Sequence, residues 1–400
     1  MSDTDEFLPG DPRSRHGLAR IEGSAPGPLV VLVAGMHGNE KRSEEAVESV
    51  LAQLAELPIR GTVVGLLGNV AACHDNLRQI DADLNRMWKP SELSRVRGCA
   101  LEELEHAEER ELWSLRKDID ALIAEGMKDP ETPTPIFIDV HTASGDSIPF
   151  AIAMNTLDHS SLLNGLPVPI LAGLAERLDG LMLRHVLREG GRSLAIETGP
   201  HDKETGAVEL EAVMWMLLIQ AGTLEKSQVP REGEHRERLV GLTEKIPPIV
   251  EVLYRHHVND REKFAMRDKD APEGEEKVKW KSFDRVNARQ VVAENHGREV
   301  RSHVRGRVIM PLYQPIGEDG FFLGVDRDRP YLFLSELFRK MKLEWTMGLF
   351  PSMRRARDHG DAWHLDRSDH PILRELLRFF GYREQTERED GSVLAIRIRR

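Results

Sequence analysis

The 400-residue sequence contains only two cysteines, Cys73 and Cys99. That is too few for a disulfide scaffold, and neither has a partner at zinc-finger spacing, so both read as packing residues in a reducing environment. Long apolar runs are missing as well: nothing approaches the roughly 20 residues a spanning helix needs. Residues 1–20 lack the basic start and apolar core of a signal peptide. The expectation is a cytoplasmic protein with no membrane partner. Positive charge is in deficit, with 55 Lys and Arg against 67 Asp and Glu and a net charge of −12. Such a chain is a poor nonspecific nucleic-acid binder and repels anions at long range. Internal repeats and glycine-rich phosphate loops are also absent. Against this acidic background, a local cluster of arginines carries information.

The first half of the chain alternates strand and helix patterns. Residues 28–34 (PLVVLVA) form a short continuous apolar run, as expected of a strand buried on both faces, and Gly35 ends it. Ala46, Val47, Val50, Leu51 and Leu54 then recur at helical spacing, which makes a βα unit. Residues 61–68, 148–154 and 180–186 read as further strands. Residues 101–124 read as a long amphipathic helix whose Glu-rich start, 102–111, is a solvated face, and 206–220 as an apolar helix. Proline, glycine and a charge run at 227–237 suggest a linker. Short strands at 248–254, 300–310 and 320–325 beyond it suggest a smaller β-rich, barrel-like domain, with a mobile loop at 269–279. The division expected is a catalytic domain at 1–226, a β-rich domain at 238–330 and an extension at 331–400. The extension has helical patterns at 335–342 and 371–380 and a strand at 392–398. It fits packing on the β-rich domain as well as contact with a second copy of the chain in a homo-oligomer.

Chemistry concentrates where apolar runs stop. His37 and Glu40 lie just past the first run, and the run 135–140 delivers His141 in the same manner. Ligands in open α/β sheets bind beyond the carboxyl ends of the strands. Two imidazoles and one carboxylate match a catalytic zinc site, which uses three protein ligands and leaves a fourth position open. A lone His-x-x-Glu is usually structural; the second strand-terminal histidine is what lifts this one. Asp139 can accept the outer ring hydrogen of a ligating histidine. Arg78 lies between the two ligand segments, where a guanidinium can polarise an amide carbonyl and stabilise an oxyanion. The Asn85-Arg86 pair puts a neutral donor beside a planar fork that matches a carboxylate.

Four segments carry a resemblance: residues 35–40 (GMHGNE), 76–86 (NLRQIDADLNR), 139–143 (DVHTA) and 195–200 (AIETGP). In order, spacing and strand context they are similar to the succinylglutamate desuccinylase and aspartoacylase family of carboxypeptidase-like zinc hydrolases, over roughly residues 28–224. The resemblance implies an α/β fold with a carboxypeptidase-like mixed sheet flanked by helices, and one zinc ion per chain held by His37, Glu40 and His141. It implies Arg78 as carbonyl polariser and Asn85 with Arg86 as anchor for a substrate carboxylate. Glu197 would be the proton-transferring base, and Arg188 the nearest match to an arginine that grips a second carboxylate. Asp81 and Asp83 would orient the arginine-rich loop. The activity implied is amide hydrolysis of a small acidic N-acyl amino acid. A metallocarboxypeptidase acting on short peptides and a non-catalytic zinc or carboxylate binder are the alternatives. Met36, where a small residue is commoner, and Val70, where a proline often stands, depart from the family pattern without removing a ligand. Tyr254 and Tyr313 are candidates to reach the site from the β-rich domain.

Overall fold

Burial splits the strand at residues 28–34 by parity. Leu29, Val31 and Val33 belong to one hydrophobic cluster, and Val30, Leu32 and Ala34 to another. Successive side chains of a strand point to opposite faces, so a run apolar at every position needs a core on each side. The computed structural model, which describes residues 7–154, 161–269, 278–356, 361–366, 371–387 and 393–396, supplies both.

In chain order the elements that build this arrangement are β1 (Gly17–Glu22), β2 (Ala25–Ala34), α1 (Lys41–Leu54), β3 (Arg60–Leu67), α2 (Val70–Asp75), α3 (Pro90–Arg97) and α4 (Ala107–Gly126). They continue with β4 (Ile136–Thr142), β5 (Phe150–Ala153), β6 (Ile170–Ala172), α5 (Met182–Arg188), β7 (Arg192–Thr198), α6 (Gly206–Ala221), α7 (Glu232–Thr243) and β8 (Ile249–His257). After these come β9 (Phe264–Met266), β10 (Arg285–Val286), β11 (Val291–Asn295), β12 (Arg298–Arg301), β13 (Gly306–Ile309) and β14 (Asp319–Arg327). The last stretch holds α8 (Arg329–Lys340), β15 (Met353–Arg355), β16 (Ala362–Leu365), α9 (Pro371–Phe379), β17 (Arg383–Glu387) and β18 (Val393–Ile396).

Eleven strands form one mixed sheet in the order β1-β3-β2-β4-β7-β5-β6-β8-β14-β13-β10. Its centre, β3-β2-β4-β7, is parallel. Apolar positions of α4 and α5 cover one face, and those of α1 and α6 cover the other. The expected α/β class with a mixed sheet flanked by helices is therefore present, with small antiparallel sheets β12-β11-β9 and β15-β16-β18-β17 toward the C-terminus. The main sheet runs without a break from the first half of the chain into β8, β14, β13 and β10.

Three local expectations are corrected. Residues 180–186, expected as a strand, start with Gly180 at φ +74° and continue as helix α5, six of whose seven residues are buried. A run of seven residues, polar only at Arg184 and His185, is too short for periodicity to separate the two states. Residues 227–237, expected as a linker, run into α7, whose buried Glu232, His235, Leu239 and Thr243 recur at helical spacing and form a narrow stripe in a polar sequence. The glutamates at the start of α4 are not solvated: Glu108 and Glu111 are fully buried and Glu109 nearly so. Residues 270–277 of the expected 269–279 loop lie outside the described residues. Among the described residues, no helix is long and apolar enough to cross a membrane.

Trp215 of α6 is fully buried in the second core, with its indole N–H donating to Glu211. Trp215→Ala should lower the unfolding free energy by about 3–5 kcal/mol, because the cavity left in a packed interior closes only in part. Urea denaturation followed by circular dichroism measures it; a loss below about 1 kcal/mol would contradict this packing.

Candidate active site

Parallel register brings the strand-terminal residues together. β2 pairs with β4 and β4 with β7, so all three carboxyl ends meet at one edge, with His141 directly opposite Glu197. Asp139 and His141 share one face of β4 because they lie two residues apart. Gly35 ends β2 at φ +62°, and the next residues lead His37 and Glu40 into α1. Gly38 has no room for a side chain: a Cβ there would lie 2.0 Å from the Ala72 carbonyl carbon, so α2 packs directly on this turn.

The inner ring nitrogens of both histidines face one carboxylate. His37 Nδ1 lies 2.7 Å from Glu40 Oε1 and His141 Nδ1 lies 3.1 Å from Glu40 Oε2, and the Thr142 backbone N–H donates to Glu40 at 2.8 Å. One ligand atom from each of His37, Glu40 and His141 lies within 4.8 Å of the others, and all three residues are buried. Each outer ring nitrogen meets an aspartate: His37 Nε2 lies 3.2 Å from Asp83, and His141 Nε2 lies 2.9 Å from Asp139. A proton held on Nε2 leaves the Nδ1 lone pair for a metal, the arrangement usual behind ligating histidines. The donor set therefore fits a divalent cation of the zinc type.

The charges in this cluster are strongly perturbed. Burial alone would raise the Glu40 carboxyl, but His37 and His141 overcome that and hold it well below the ordinary carboxylate value. Burial would depress His141, yet Asp139 and Glu40 keep it well above the usual imidazole value. Asp83 is likewise held low against its burial by His37 and Arg78. Glu197 behaves oppositely: burial pushes its carboxyl up to about 8 against the pull of His141 and Arg78, and among the described residues no hydrogen bond compensates.

A buried carboxylate anchors the arginine-rich loop. Glu108 of α4 accepts the backbone N–H groups of Ile80, Asp81 and Ala82 at 2.6, 2.9 and 3.2 Å, and the Asn69 amide at 3.1 Å. Asp81 in turn accepts from the Ala107 N–H at the start of α4 (2.7 Å), and Asp83 pairs with Arg78 at 2.7 Å. The Arg78 Nε is buried with no hydrogen-bond partner, which leaves it as a donor. The Asn85 amide donates to Asp139 (3.1 Å), and its carbonyl oxygen accepts from Met182 N (3.1 Å) at the start of α5. Gly180 makes that junction feasible, since a Cβ on it would sit 1.9 Å from the Arg86 carbonyl oxygen. Arg86 pairs with Asp319 of β14 at 2.7 Å, and Asp319 is also bound by Arg255 of β8.

A cavity of about 500 Å³ joins these parts. His37, Glu40, Arg78, Asn85, Arg86, His141 and Glu197 all line it. Arg188 does not. It ends α5 exposed to solvent, and about 100° of rotation per helical residue turns it roughly 140° away from Leu183, which does face the cavity. The expectation that Arg188 grips a second carboxylate is thereby corrected. Arg184 is spent on Asp179 and on the carbonyls of Ala175, Glu176 and Leu178. Tyr254 and Tyr313 are not among the lining residues, and the Tyr313 hydroxyl donates instead to the Trp280 carbonyl at 3.0 Å. Three contributors were missed from sequence. Glu108 was hidden in a run of acids, although its spacing with Leu112 and Leu115 placed it on the inward face. His201, which meets Thr142 Oγ1 at 2.8 Å, and the wall made by residues 310–319 carried no motif.

Residues 26–155 match the model of the succinylglutamate desuccinylase/aspartoacylase catalytic domain. A succinylglutamate desuccinylase of Photorhabdus laumondii is 43% identical over 61 residues, covering 15% of this chain and 19% of that protein. One from Shewanella amazonensis is 27% identical over 158 residues, covering 39% of this chain and 43% of that protein. The chain thus spans less than half the length of the curated relatives it matches. Among solved structures, a succinylglutamate desuccinylase/aspartoacylase from Rhodobacter sphaeroides superposes with a TM-score of 0.53 at 17% identity, over 77% of this chain and 88% of that one. The succinylglutamate desuccinylase of Vibrio parahaemolyticus gives 0.51 at 12%, over 77% and 86%. At these identities the structural likeness shows the fold.

Burial of Glu197 makes a pH dependence follow. A carboxyl raised from 4.5 to about 8 in the folded state binds its proton more tightly than in the unfolded chain. Below about pH 4.5 both states are protonated and nothing is lost; as pH rises toward 8, folding is progressively penalised. Metal-free Glu197→Gln should therefore gain stability relative to the metal-free parent across this window, by a few kcal/mol at its upper end. Paired urea titrations at pH 5 and pH 8 measure it, and an unchanged difference between the two pH values would refute a raised Glu197.

Proposed function

We infer that this protein, which belongs through residues 26–155 to the succinylglutamate desuccinylase/aspartoacylase family, is a zinc-dependent hydrolase that cleaves the amide bond of a small N-acyl amino acid. The observation that carries this reading is the convergence of His37, Glu40 and His141 within 4.8 Å beside a buried Glu197 that bears no compensating hydrogen bond. A binding protein needs no such carboxyl at that position. Zinc held by the three ligands supplies Lewis acidity to a carbonyl and acidity to a water.

The remaining steps belong to the chain's own side chains. The Arg86 guanidinium, one arm of which is held by Asp319, binds the substrate carboxylate, and this fixes the scissile amide between Arg78 and Glu197. Glu197 takes a proton from the attacking water as the water oxygen bonds to the carbonyl carbon. The unpartnered Arg78 Nε donates to the oxygen on which negative charge develops. Glu197 then returns the proton to the nitrogen as the carbon–nitrogen bond breaks, giving a carboxylate and a free amine. One glutamate beside the reacting atoms can serve both as the accepting base and as the returning acid. Asn85, tied to Asp139 and Met182, positions the loop and the His141–Asp139 pair and is not free to act as an independent anchor.

Two variants test the reading. Glu197→Gln should keep about one zinc per chain by metal analysis while kcat falls about 10²–10⁴-fold; normal turnover would remove Glu197 from the mechanism. Gly180→Ala forces the Arg86 backbone to move, so kcat/KM should fall by about tenfold or more with zinc content unchanged. Steady-state kinetics on N-acyl amino acids reads the second, and parental kinetics would show that the junction is not rigid.

A further inference from the structure

The cavity has two unlike flanks. One holds the histidines, the carboxylates and two arginines. The other is apolar, made by Ile152, Leu178, Leu181, Leu183, Ala195 and Phe322. This flank is an opening in the first hydrophobic core, to which all six residues belong. Strand geometry explains its position: Ala195 lies two residues before Glu197 on the same face of β7, and Ile152 of β5 is its register partner.

Cationic side chains are few in the cavity. Among the described lining residues, Arg78 and Arg86 are the only lysines or arginines. Each is paired with an aspartate at 2.7 Å, Arg78 with Asp83 and Arg86 with Asp319. Glu318 and Asp319 add negative charge from the wall built by β14 and the residues before it. Arg188, the cation expected for a second carboxylate, lies outside. With Arg78 required at the amide, one arginine remains for one carboxylate. Among the described lining residues a second carboxylate finds no third arginine or lysine, only apolar, acidic and polar side chains such as Gln79, Ser144, His201 and Gln314, and a charge without a counter-ion is disfavoured in so largely apolar a site.

The apolar flank adjoins the carboxylate anchor. Met182 N donates to Asn85 Oδ1, and Gly180 touches the Arg86 backbone, so the segment carrying Leu178, Leu181 and Leu183 is packed against Asn85 and Arg86. A substrate whose α-carboxylate sits on Arg86 therefore has these leucines within reach of its amino-acid side chain. Resting on the deacylase reading above, we propose that the preferred substrates are N-acyl derivatives of amino acids with an apolar side chain and a single carboxylate, not the dicarboxylates that the family resemblance suggests. A cavity of about 500 Å³ has room for such a molecule, including an aromatic one.

The experiment uses the full chain loaded with zinc and four compounds: N-acetyl-L-leucine, N-acetyl-L-phenylalanine, N-acetyl-L-aspartate and N-succinyl-L-glutamate. The expected result is a kcat/KM at least about tenfold higher for the two apolar compounds, since even one methylene in an apolar pocket gives roughly 10–200-fold discrimination. Calorimetric titration of zinc-loaded Glu197→Gln with the same four supplies a readout independent of turnover. At least tenfold tighter binding of the apolar pair is expected. Hydrolysis or binding that favours the aspartate or succinylglutamate compound, or binding of none of the four, overturns the proposal. Apolar-selective binding with no hydrolysis by the parent protein upholds it and sinks the deacylase reading instead.

Discussion

Parallel pairing of β2, β4 and β7 is the constraint on which the rest depends. It brings His37, Glu40, His141 and Glu197 to one sheet edge from positions up to 160 residues apart in sequence. Because β4 and β7 are in register, Glu197 cannot avoid His141, and because both strands are buried it cannot reach water freely. The same geometry that assembles the candidate metal ligands thus buries Glu197 and raises its proton affinity. Histidine and carboxylate are close enough to neutralise each other among His37, Glu40 and His141, while at Glu197 burial outweighs the pull of His141 and Arg78.

Around this edge, buried charge acts mostly as scaffold. Glu108 ties three consecutive backbone N–H groups of the arginine-rich loop to α4. Asp83 joins Arg78 to His37, Asp139 joins Asn85 to His141, and Asp319 joins Arg86 to Arg255. In each case a carboxylate that would be costly to bury alone is held by two or more partners, and the partners are thereby fixed in place. The last of these links couples the site to β8 and β14, so strands late in the chain shape a cavity whose chemistry lies early in it. That coupling is also why the positive charge of the pocket is smaller than its two arginines suggest.

Some departures between expectation and structure share a cause. Residues 180–186 are polar only at the adjacent Arg184 and His185, so neither a period of two nor one of 3.6 stands out and a short buried helix resembles a buried strand. The glutamates of α4 are surrounded by other acids, which masks the inward stripe that Glu108 and Glu111 share with Leu112 and Leu115. Arg188 rests on a match in spacing to an arginine of the resembling family, and spacing alone does not fix direction in a helix, where each residue rotates about 100°. Residues 227–237 are polar enough to resemble a linker, yet one narrow stripe suffices to dock α7.

Sequence by itself determined the α/β class, the strand ends that carry His37, Glu40, His141 and Glu197, and the loop that carries Arg78 and Arg86. These follow from local periods of two and 3.6 residues and from the point at which each apolar run stops. Tertiary structure alone decided that Asp319 joins Arg86 to Arg255, that residues 310–319 wall the cavity, and that leucines from 178–183 line it while Arg188 faces solvent. Those are contacts between segments distant in sequence, set by how sheets and helices close over one another, and no period along the chain records them.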